Sequence, residues 1–300
     1  MGRPHRRPFF CSPMPRIALA TSSKFPNLTS DDRLLLEPLA EHGIRAEPAI
    51  WNDASRDWSS YDAVILRSTW DYHLLPEEFL RWIDLLRDMH VPLWNAHTLV
   101  RWNANKTYLR DLDAKGILVV PTIWPEAGKA SPLRDKMREL GWERAVVKPR
   151  ISATARRTQL VTIEDADAAQ PLLDELRSGA GVMVQKFMDS IVVDGEWSLI
   201  FFDRQFSHAV LKKPASGDFR VQNDFGGTDT QLDPPAHVLE SAGIILQAVE
   251  ATLYARVDGV VQEEKFLLME LELIEPALFL SSHPAATAKF ADAIARKLRL

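Results

Sequence analysis

The chain has 300 residues, 46% of them hydrophobic, a formal net charge of -5 and one cysteine. That length can bury one large core or two to three smaller ones, and the mild negative charge, with no long basic run in the folded part, does not favour nucleic acid as a partner. The lone Cys11 excludes an intramolecular disulfide framework and a cysteine-based zinc cluster, which fits a reducing, cytoplasmic setting.

No stretch approaches the roughly 18 to 20 uninterrupted apolar residues of a membrane span, so no membrane partner is expected. Residues 1–15 are basic and proline-rich with too short an apolar run for a secretory signal, and read as a disordered tail with Met14 as an alternative start. Ile17 to Ala20 reads as a strand. A helix is expected from about Ser30 to His42, capped by the Thr29 to Asp32 cluster, kinked at Pro38 and stopped by Gly43. Ile44 to Ile50 and Ala63 to Leu66 are strand-like, and the alternation suggests a parallel α/β lobe. Pro76 opens a helix to Met89 whose Phe79, Trp82, Ile83 and Leu86 repeat at helical spacing, so one face is core.

Between that strand and that helix, Arg67, Ser68, Thr69, Trp70 and Asp71 lie at the carboxyl end of a strand, where open α/β sheets bind ligands. A substrate-binding role is favoured there, although a structural turn would look similar. Val91 to Asn95 is a further strand, and Thr98 to Leu112 carries two short helical patterns. Lys106 falls in the first turn of the second, where a cation opposes the helix dipole unless its ammonium reaches an anion. Glu143 to Pro149 is an apolar strand on which Lys148 shares a face with Val146, so the lysine should be half-buried beside a negative partner.

A small-residue loop, Ile151 to Thr158, precedes a strand to Ile163, a helix from about Asp165 to Arg177, and a buried strand from Val182 to Met188. The next segment is antiparallel in character: Glu196 to Phe202, a turn at Asp203 to Gln205, then Phe206 to Lys213. His208 has no companion at metal spacing and reads as structural. The loop from Ser216 to Gly227 offers one arginine, Arg220, and paired glycines, a combination able to wrap an anion. Helices are expected from about Pro235 to Leu253 and from Pro284 to Leu298.

Between those helices, Ala255 to Pro276 reads as a hairpin centred near Glu264. It sets Asp258 opposite Glu270, places Glu270 and Glu272 on one face, and points Met269, Leu271 and Leu273 into a core. Crowded carboxylates favour a hard cation such as Mg²⁺, yet spacing alone fits a solvated strand face equally well.

The order Asn103…Lys106, Val146-Val147-Lys148-Pro149, Gln185 to Met188, Gly195-Glu196, Lys212 followed by Gly217-Asp218-Phe219-Arg220 and Gln222, Gly226-Gly227, and Asp258…Glu270, Glu272, Pro276 resembles the ATP-grasp superfamily, in its glutathione-synthetase-like branch. The resemblance implies an α/β and α+β architecture in which two α+β subdomains clamp ATP behind an N-terminal parallel α/β lobe. The implied division is a tail (1–15), the N-terminal lobe (16–97), a first ATP-grasp subdomain with a lid-like part (98–186) and a second with the metal site (187–300). It implies Lys106 and Lys148 on the nucleotide phosphates, Gln185, Lys186, Phe187 and Met188 as the hinge at the adenine, and Glu196 on the ribose. Arg220 and Lys212 become the catalytic basic pair around the transferred phosphoryl group. Asp258, Glu270 and Glu272 become Mg²⁺ ligands, and Arg67 to Asp71 with Gln222, Gly226 and Gly227 become substrate-binding.

The implied activity is an ADP-forming carboxylate–amine ligase acting on a small amino-acid-like substrate through an acyl phosphate. The Arg67 to Tyr72 loop, Gly217 to Gln222 and Glu270 to Pro276 further resemble the cyclo-ligases that act on O-ureidoserine. Three departures stand out: no glycine in the loop after Lys148, Glu272 where relatives have asparagine, and Ser198 where they have arginine. A different reading is an ATP-grasp nucleotide-binding module without ligase activity, serving as a sensor or partner-binding protein; a hairpin that binds Ca²⁺ structurally is a third. Related folds are often dimeric, so a homodimer is an expectation for which no interface is marked in the sequence.

Overall fold

The computed structural model describes residues 14–129, 132–153, 156–179, 181–221 and 225–299. Cys11, Gln222 and all of the expected tail except Met14 and Pro15 lie outside the described residues. Pro15 already joins the fold, because its carbonyl accepts from Arg45 N–H at 2.8 Å.

The N-terminal lobe comprises β1 (Arg16–Thr21), α1 (Leu36–Glu41), β2 (Arg45–Ile50), β3 (Ala63–Ser68), α2 (Pro76–Asp88) and β4 (Leu93–Trp94). Its sheet is parallel in the order β2-β1-β3-β4. Both β1 and β3 are buried almost throughout, as expected of strands covered on two faces. Phe79, Trp82, Ile83 and Leu86 of α2 are buried as their spacing implies, each contributing about 1.5–3 kcal/mol of apolar transfer. The helix expected over 30–42 is instead a 3-10 turn, Asp32–Leu35, followed by α1. Pro38 therefore sits in the first helical turn, where its missing N–H costs nothing, and no kink is required.

Two short helices follow, α3 (His97–Asn103) and α4 (Tyr108–Ala114), then β5 (Thr122–Ile123), α5 (Leu133–Glu139), β6 (Arg144–Pro149), β7 (Gln159–Thr162), α6 (Ala166–Ser178) and β8 (Val182–Lys186). Strands β5 to β8 form an antiparallel sheet in the order β5-β8-β6-β7. Ala145 and Val147 on one face pack with Leu133, Met137 and Leu173 of α5 and α6. Alternation then leaves Val146 and Lys148 on the opposite face.

After the single turn of α7 (Ser190–Val193) come β9 (Glu196–Phe202), β10 (Gln205–Lys213), β11 (Thr228–Gln231), α8 (Ala236–Gln247), β12 (Tyr254–Gln262), β13 (Lys265–Glu272) and α9 (Ala286–Leu298). Their antiparallel sheet runs β11-β10-β9-β12-β13. One face is core: Leu199, Phe201 and Val257 pack with Leu109 and Leu112 of α4 and Ile245 of α8. Helices α3 and α4 thus serve this sheet rather than the β5–β8 sheet. The opposite face changes character along its length. Ile200, Phe202 and Tyr254 pack beneath α9 together with Ile17 and Ile65 of the first sheet. Further along the same faces stand Glu196, Ser198, Arg256 and Asp258, all buried.

The hairpin turns at Glu263-Glu264, both left-handed, and pairs Asp258 with Glu270 as expected. A β-bulge then intervenes, because Asp258 faces Glu270 while Gly259 faces Leu268. Leu268 and Leu271 both reach the core although their spacing is odd. Met269, expected in the core with Leu271, instead joins Leu267 on the opposite side beside Val120, Met188 and Val260. The extra residue reverses the alternation, which a straight strand could not do. Gly259 permits the bulge: a Cβ there would stand 2.4 Å from the Phe266 ring and 2.5 Å from Leu267 O.

His208 is buried and structural, accepting from Ser207 Oγ at 2.9 Å and donating to Leu278 O at 3.0 Å. The fold also stacks His283 against it at 5.5 Å. Burial lowers its pKa to about 4.

Two outcomes are expected. Gly259→Ala should destabilise the protein by about 2–3 kcal/mol in urea unfolding, through overpacking at the bulge. Between pH 6.5 and 4 the unfolded chain holds the His208 proton more readily than the folded one, so stability should fall with pH across that window, by about 3 kcal/mol from this residue. His208→Gln should flatten that part of the profile; an unchanged slope would remove His208 as its origin.

Candidate active site

A cavity of about 390 Å³ opens between the β5–β8 sheet and the polar face of the β9–β13 sheet, with Trp70 of the N-terminal lobe at its margin. Its size suits a nucleotide-sized or drug-sized ligand. One wall is Val146 and Lys148 with the segment Gln185 to Met188, expected from the sequence to be the hinge, and the opposite wall carries Glu196, Lys212, Arg256, Asp258, Glu270 and Glu272. Met269 lies in the floor, the consequence of the bulge.

Lys106 precedes α4 in the turn after α3, rather than lying in the helix's first turn as expected. Its backbone N–H is bonded to Arg150 O at 2.9 Å, and its ammonium donates to Glu270 at 2.6 Å and to Ser152 O at 3.1 Å. Burial works against its charge, but Glu270 overcomes this and the pKa is raised. Burial also opposes the Glu270 carboxylate, and Lys106 with Lys148 brings its pKa down.

Among the described residues Lys148 has no ion-pair partner of the kind expected for it, and it donates instead to the neutral amide of Gln185, at 3.0 Å across β6 and β8. Burial therefore lowers its pKa. An ammonium so placed gains most from an entering anion. Gln185 is bonded on its other side to Thr122 Oγ1 at 3.4 Å. In the hinge, Lys186 N–H donates to Pro121 O at 2.8 Å and Phe187 N–H to Arg144 O at 3.1 Å, so these two backbone donors are committed to the sheet.

Glu196 and Lys212 face each other across β9 and β10 and pair at 2.5 Å, with Asp258 3.7 Å from the same ammonium. Glu196 is pushed upward by burial despite Lys212, whereas Lys212 is held upward against burial by Asp258 and Glu196. Ser198 donates to Asp258. Arg256 fills the centre. It holds Asp258 at 2.8 Å and Glu272 at 2.5 Å, and donates to Ala277 O at 3.1 Å. Burial raises the Asp258 carboxyl, but Arg256 and Lys212 win and the net shift is downward. Glu272 is raised to about 7, by burial first and then by its acidic neighbours.

Arg256 was assigned no role from the sequence. The available signal was its spacing from Asp258, two residues along one strand, which puts a cation and an acid on one face. Glu275, Ser152 and Phe279 also line the cavity without having been singled out.

The 67–71 loop divides. Only Trp70 borders the cavity, donating from Nε1 to Glu275 O at 2.9 Å. Arg67 is buried, pairs with Asp32 at 2.9 Å and donates to Pro276 O at 2.8 Å. Ser68 bonds Thr21 at 2.8 Å, Thr69 is wholly buried, and Asp71 accepts from Trp51 at 2.8 Å. The side chains of Arg67, Ser68 and Asp71 are thus taken up by bonds within the fold. Arg220 borders the cavity but lies on Asp218 at 2.7 Å and over the Phe225 ring at 3.6 Å. Gly226 and Gly227 do not line the cavity, and Gly226 takes a left-handed φ of 79°.

Asp258, Glu270 and Glu272 meet in one cavity and offer only oxygen donors, which suits a hard cation. In this arrangement each is neutralised by Arg256 or Lys106, and among the described residues no three acids stand close enough to enclose a metal ion. The donor chemistry fits Mg²⁺, provided those two cations shift toward an arriving anion.

Residues 17–95 match the family model described as the N-terminal domain of the D-cycloserine synthetase DcsG. Over 299 residues the chain is 31% identical to the cycloserine biosynthesis protein DcsG of Streptomyces lavendulae, covering 94% of this chain and 99% of that protein. A crystal structure of D-cycloserine synthetase DcsG superposes with a TM-score of 0.86 at 29% identity, over 94% of this chain and 99% of the other. The D-alanine–D-alanine ligase of Bacillus anthracis, complexed with ATP, matches with a TM-score of 0.67 at 16% identity, over 95% and 97% of the two chains. A RimK domain ATP-grasp protein of Sphaerobacter thermophilus gives 0.69 at 18%, over 93% and 98%. The last two show the fold, which is ATP-grasp. With its near-complete coverage of a relative above 30% identity, the chain belongs to the DcsG family of ATP-grasp ligases.

Proposed function

We propose that the protein is an ADP-forming carboxylate–amine ligase that closes a small amino-acid-like substrate of the O-ureidoserine type on itself through an acyl phosphate. The observation that carries this reading is the meeting of Lys106, Lys148, Lys212 and Arg256 with Asp258, Glu270 and Glu272 in one cavity of a DcsG-family chain.

Lys148, held only by a neutral amide, receives a phosphate of ATP, and Lys106 exchanges Glu270 for another. Gln185 positions the Lys148 ammonium, while Lys186, Phe187 and Met188 border the base and Glu196 the ribose. A carboxylate oxygen of the substrate attacks the γ-phosphorus and the bond to the β-phosphate oxygen breaks, releasing ADP. Lys212 and Arg256, with Arg220 from the 216–227 loop, offset charge on the phosphoryl oxygens. Mg²⁺ on Asp258, Glu270 and Glu272 supplies further positive charge there when bound. A nitrogen of the same molecule then attacks the acyl carbon, a C–N bond forms, the C–O bond to phosphate breaks, and the nitrogen gives up a proton. The cavity walls keep water from the acyl phosphate in the interval. Trp70 borders the substrate from the N-terminal lobe. A cytoplasmic location and a homodimer belong to the same reading; among the described residues no helix is long and apolar enough to cross a membrane.

The test is a coupled ADP-release screen of amino acids, dipeptides and ureido-amino acids, with mass spectrometry of the product. ADP release with O-ureidoserine and a cyclised product are expected; tight nucleotide binding without turnover across the panel would sink the reading. Lys148→Ala should cut substrate-dependent ADP release by a factor on the order of 10² to 10³ while the protein stays folded. Glu272→Asn keeps an oxygen donor and should retain activity within about tenfold; its inactivation would show that the charge of Glu272 is required.

A further inference from the structure

Four acids on the cavity's polar wall are each matched to a protein cation. Glu196 has Lys212, Asp258 has Arg256, Glu270 has Lys106 and Glu272 has Arg256. Glu275 also lines the cavity. Among the described residues, no ion pair or hydrogen bond from another residue reaches its carboxylate. The cation that acts on it, Lys106, is committed to Glu270.

The position of Glu275 is nonetheless fixed with care. Trp70 Nε1 donates to the carbonyl of Glu275 at 2.9 Å, and Arg67 donates to the carbonyl of Pro276 at 2.8 Å. Arg67 is itself buried and paired with Asp32. Two donors of the N-terminal lobe thus clamp the consecutive carbonyls of Glu275 and Pro276, and the Glu275 side chain, immediately before the first of them, lines the cavity. Burial and the charge of Glu272 push its pKa up to about 8, as expected for an acid left without a partner. Desolvating an unpaired carboxylate is costly.

We infer that the Glu275 carboxylate receives the ammonium group of the substrate, so that the protein selects amino acids over the same carboxylic acids lacking the amine. This rests on the ligase reading above and names the substrate class at the same site. The ammonium would enter between Trp70 and the Glu272 side of the cavity, supplying the cation that the other acids obtain from the protein. The carboxylate to be activated would then lie toward Lys212 and Arg256. Glu275 is a specificity residue that touches the substrate and takes no part in bond making.

The full-length protein and Glu275→Gln are compared by calorimetry and coupled ADP release, using both enantiomers of O-ureidoserine and 3-(ureidooxy)propionate, the same skeleton without the amine. For O-ureidoserine the variant should show a KM raised by about tenfold to a hundredfold, with kcat changed by less than about threefold and Mg-ATP affinity unchanged. The des-amino compound should bind both proteins equally weakly. Equal KM values for O-ureidoserine overturn the inference, and so does a loss shared by the des-amino compound, which a structural disturbance would produce. If the wild-type protein consumes no ATP with O-ureidoserine, that substrate assignment fails separately. The comparison is then made with whichever amino acid the ADP-release panel or direct binding selects. A wild-type protein that prefers no amine-bearing compound over its des-amino counterpart overturns the inference outright.

Discussion

Arg256 is the charge around which the site is assembled. It is buried, bridges Asp258 and Glu272, and reaches the carbonyl of Ala277 beyond the hairpin. Removing one member of such a buried set costs about 3–5 kcal/mol, because the remaining charges lose their compensation. The polar face of the sheet therefore depends on the mutual compensation of Arg256, Asp258, Lys212 and Glu196. Their positions are in turn consequences of strand pairing: Glu196 lies opposite Lys212, Asp258 opposite Ser198, and Arg256 opposite Glu272.

The same sheet performs two tasks with one face. Toward one end its side chains are apolar and pack beneath α9, where Phe202 stacks on Phe290 with ring centres 4.5 Å apart. Toward the other end they are charged and border the cavity. Helix α9 thereby fastens the N-terminal sheet to the β9–β13 sheet, which keeps Trp70 and the Glu275 loop at fixed places on the cavity's rim. The β5–β8 sheet is tied to the rest differently. Links such as Lys106 N–H to Arg150 O and the Lys106 ammonium to Ser152 O are polar, and they can be exchanged for ligand contacts at modest cost.

The charges of the site neutralise one another. Its lysines and arginines rest on the carboxylates that would serve a metal, and Lys148 rests on an amide. Binding a polyanion with a divalent cation would exchange these pairs rather than create charges in a dry cavity, so the desolvation cost is already met by the fold. This connects the unusual pKa values to function. Carboxylates crowded enough for Glu272 to sit near 7 are well prepared for a metal, and a lysine whose charge is poorly compensated is well prepared for phosphate.

Periodicity and composition by themselves determined the parallel N-terminal lobe, the core face of α2, the antiparallel character of the later strands and the pairing of Asp258 with Glu270, because each rests on local spacing of apolar and polar residues. Motif order carried the superfamily, and most of the residues it singled out do meet in one cavity. Tertiary structure alone decided the rest. A bulge at Gly259 sent Met269 to the cavity, since an extra residue in one strand inverts everything beyond it. Arg67 looked like a substrate residue because it ends a parallel strand, but an acid 35 positions earlier in the chain claims it. Arg256 and Glu275 become meaningful only once distant segments show that one has two carboxylates to hold and the other has, among the described residues, no ion-pair partner of its own. Which charges are matched is a property of the folded neighbourhood, and a one-dimensional spacing does not contain it.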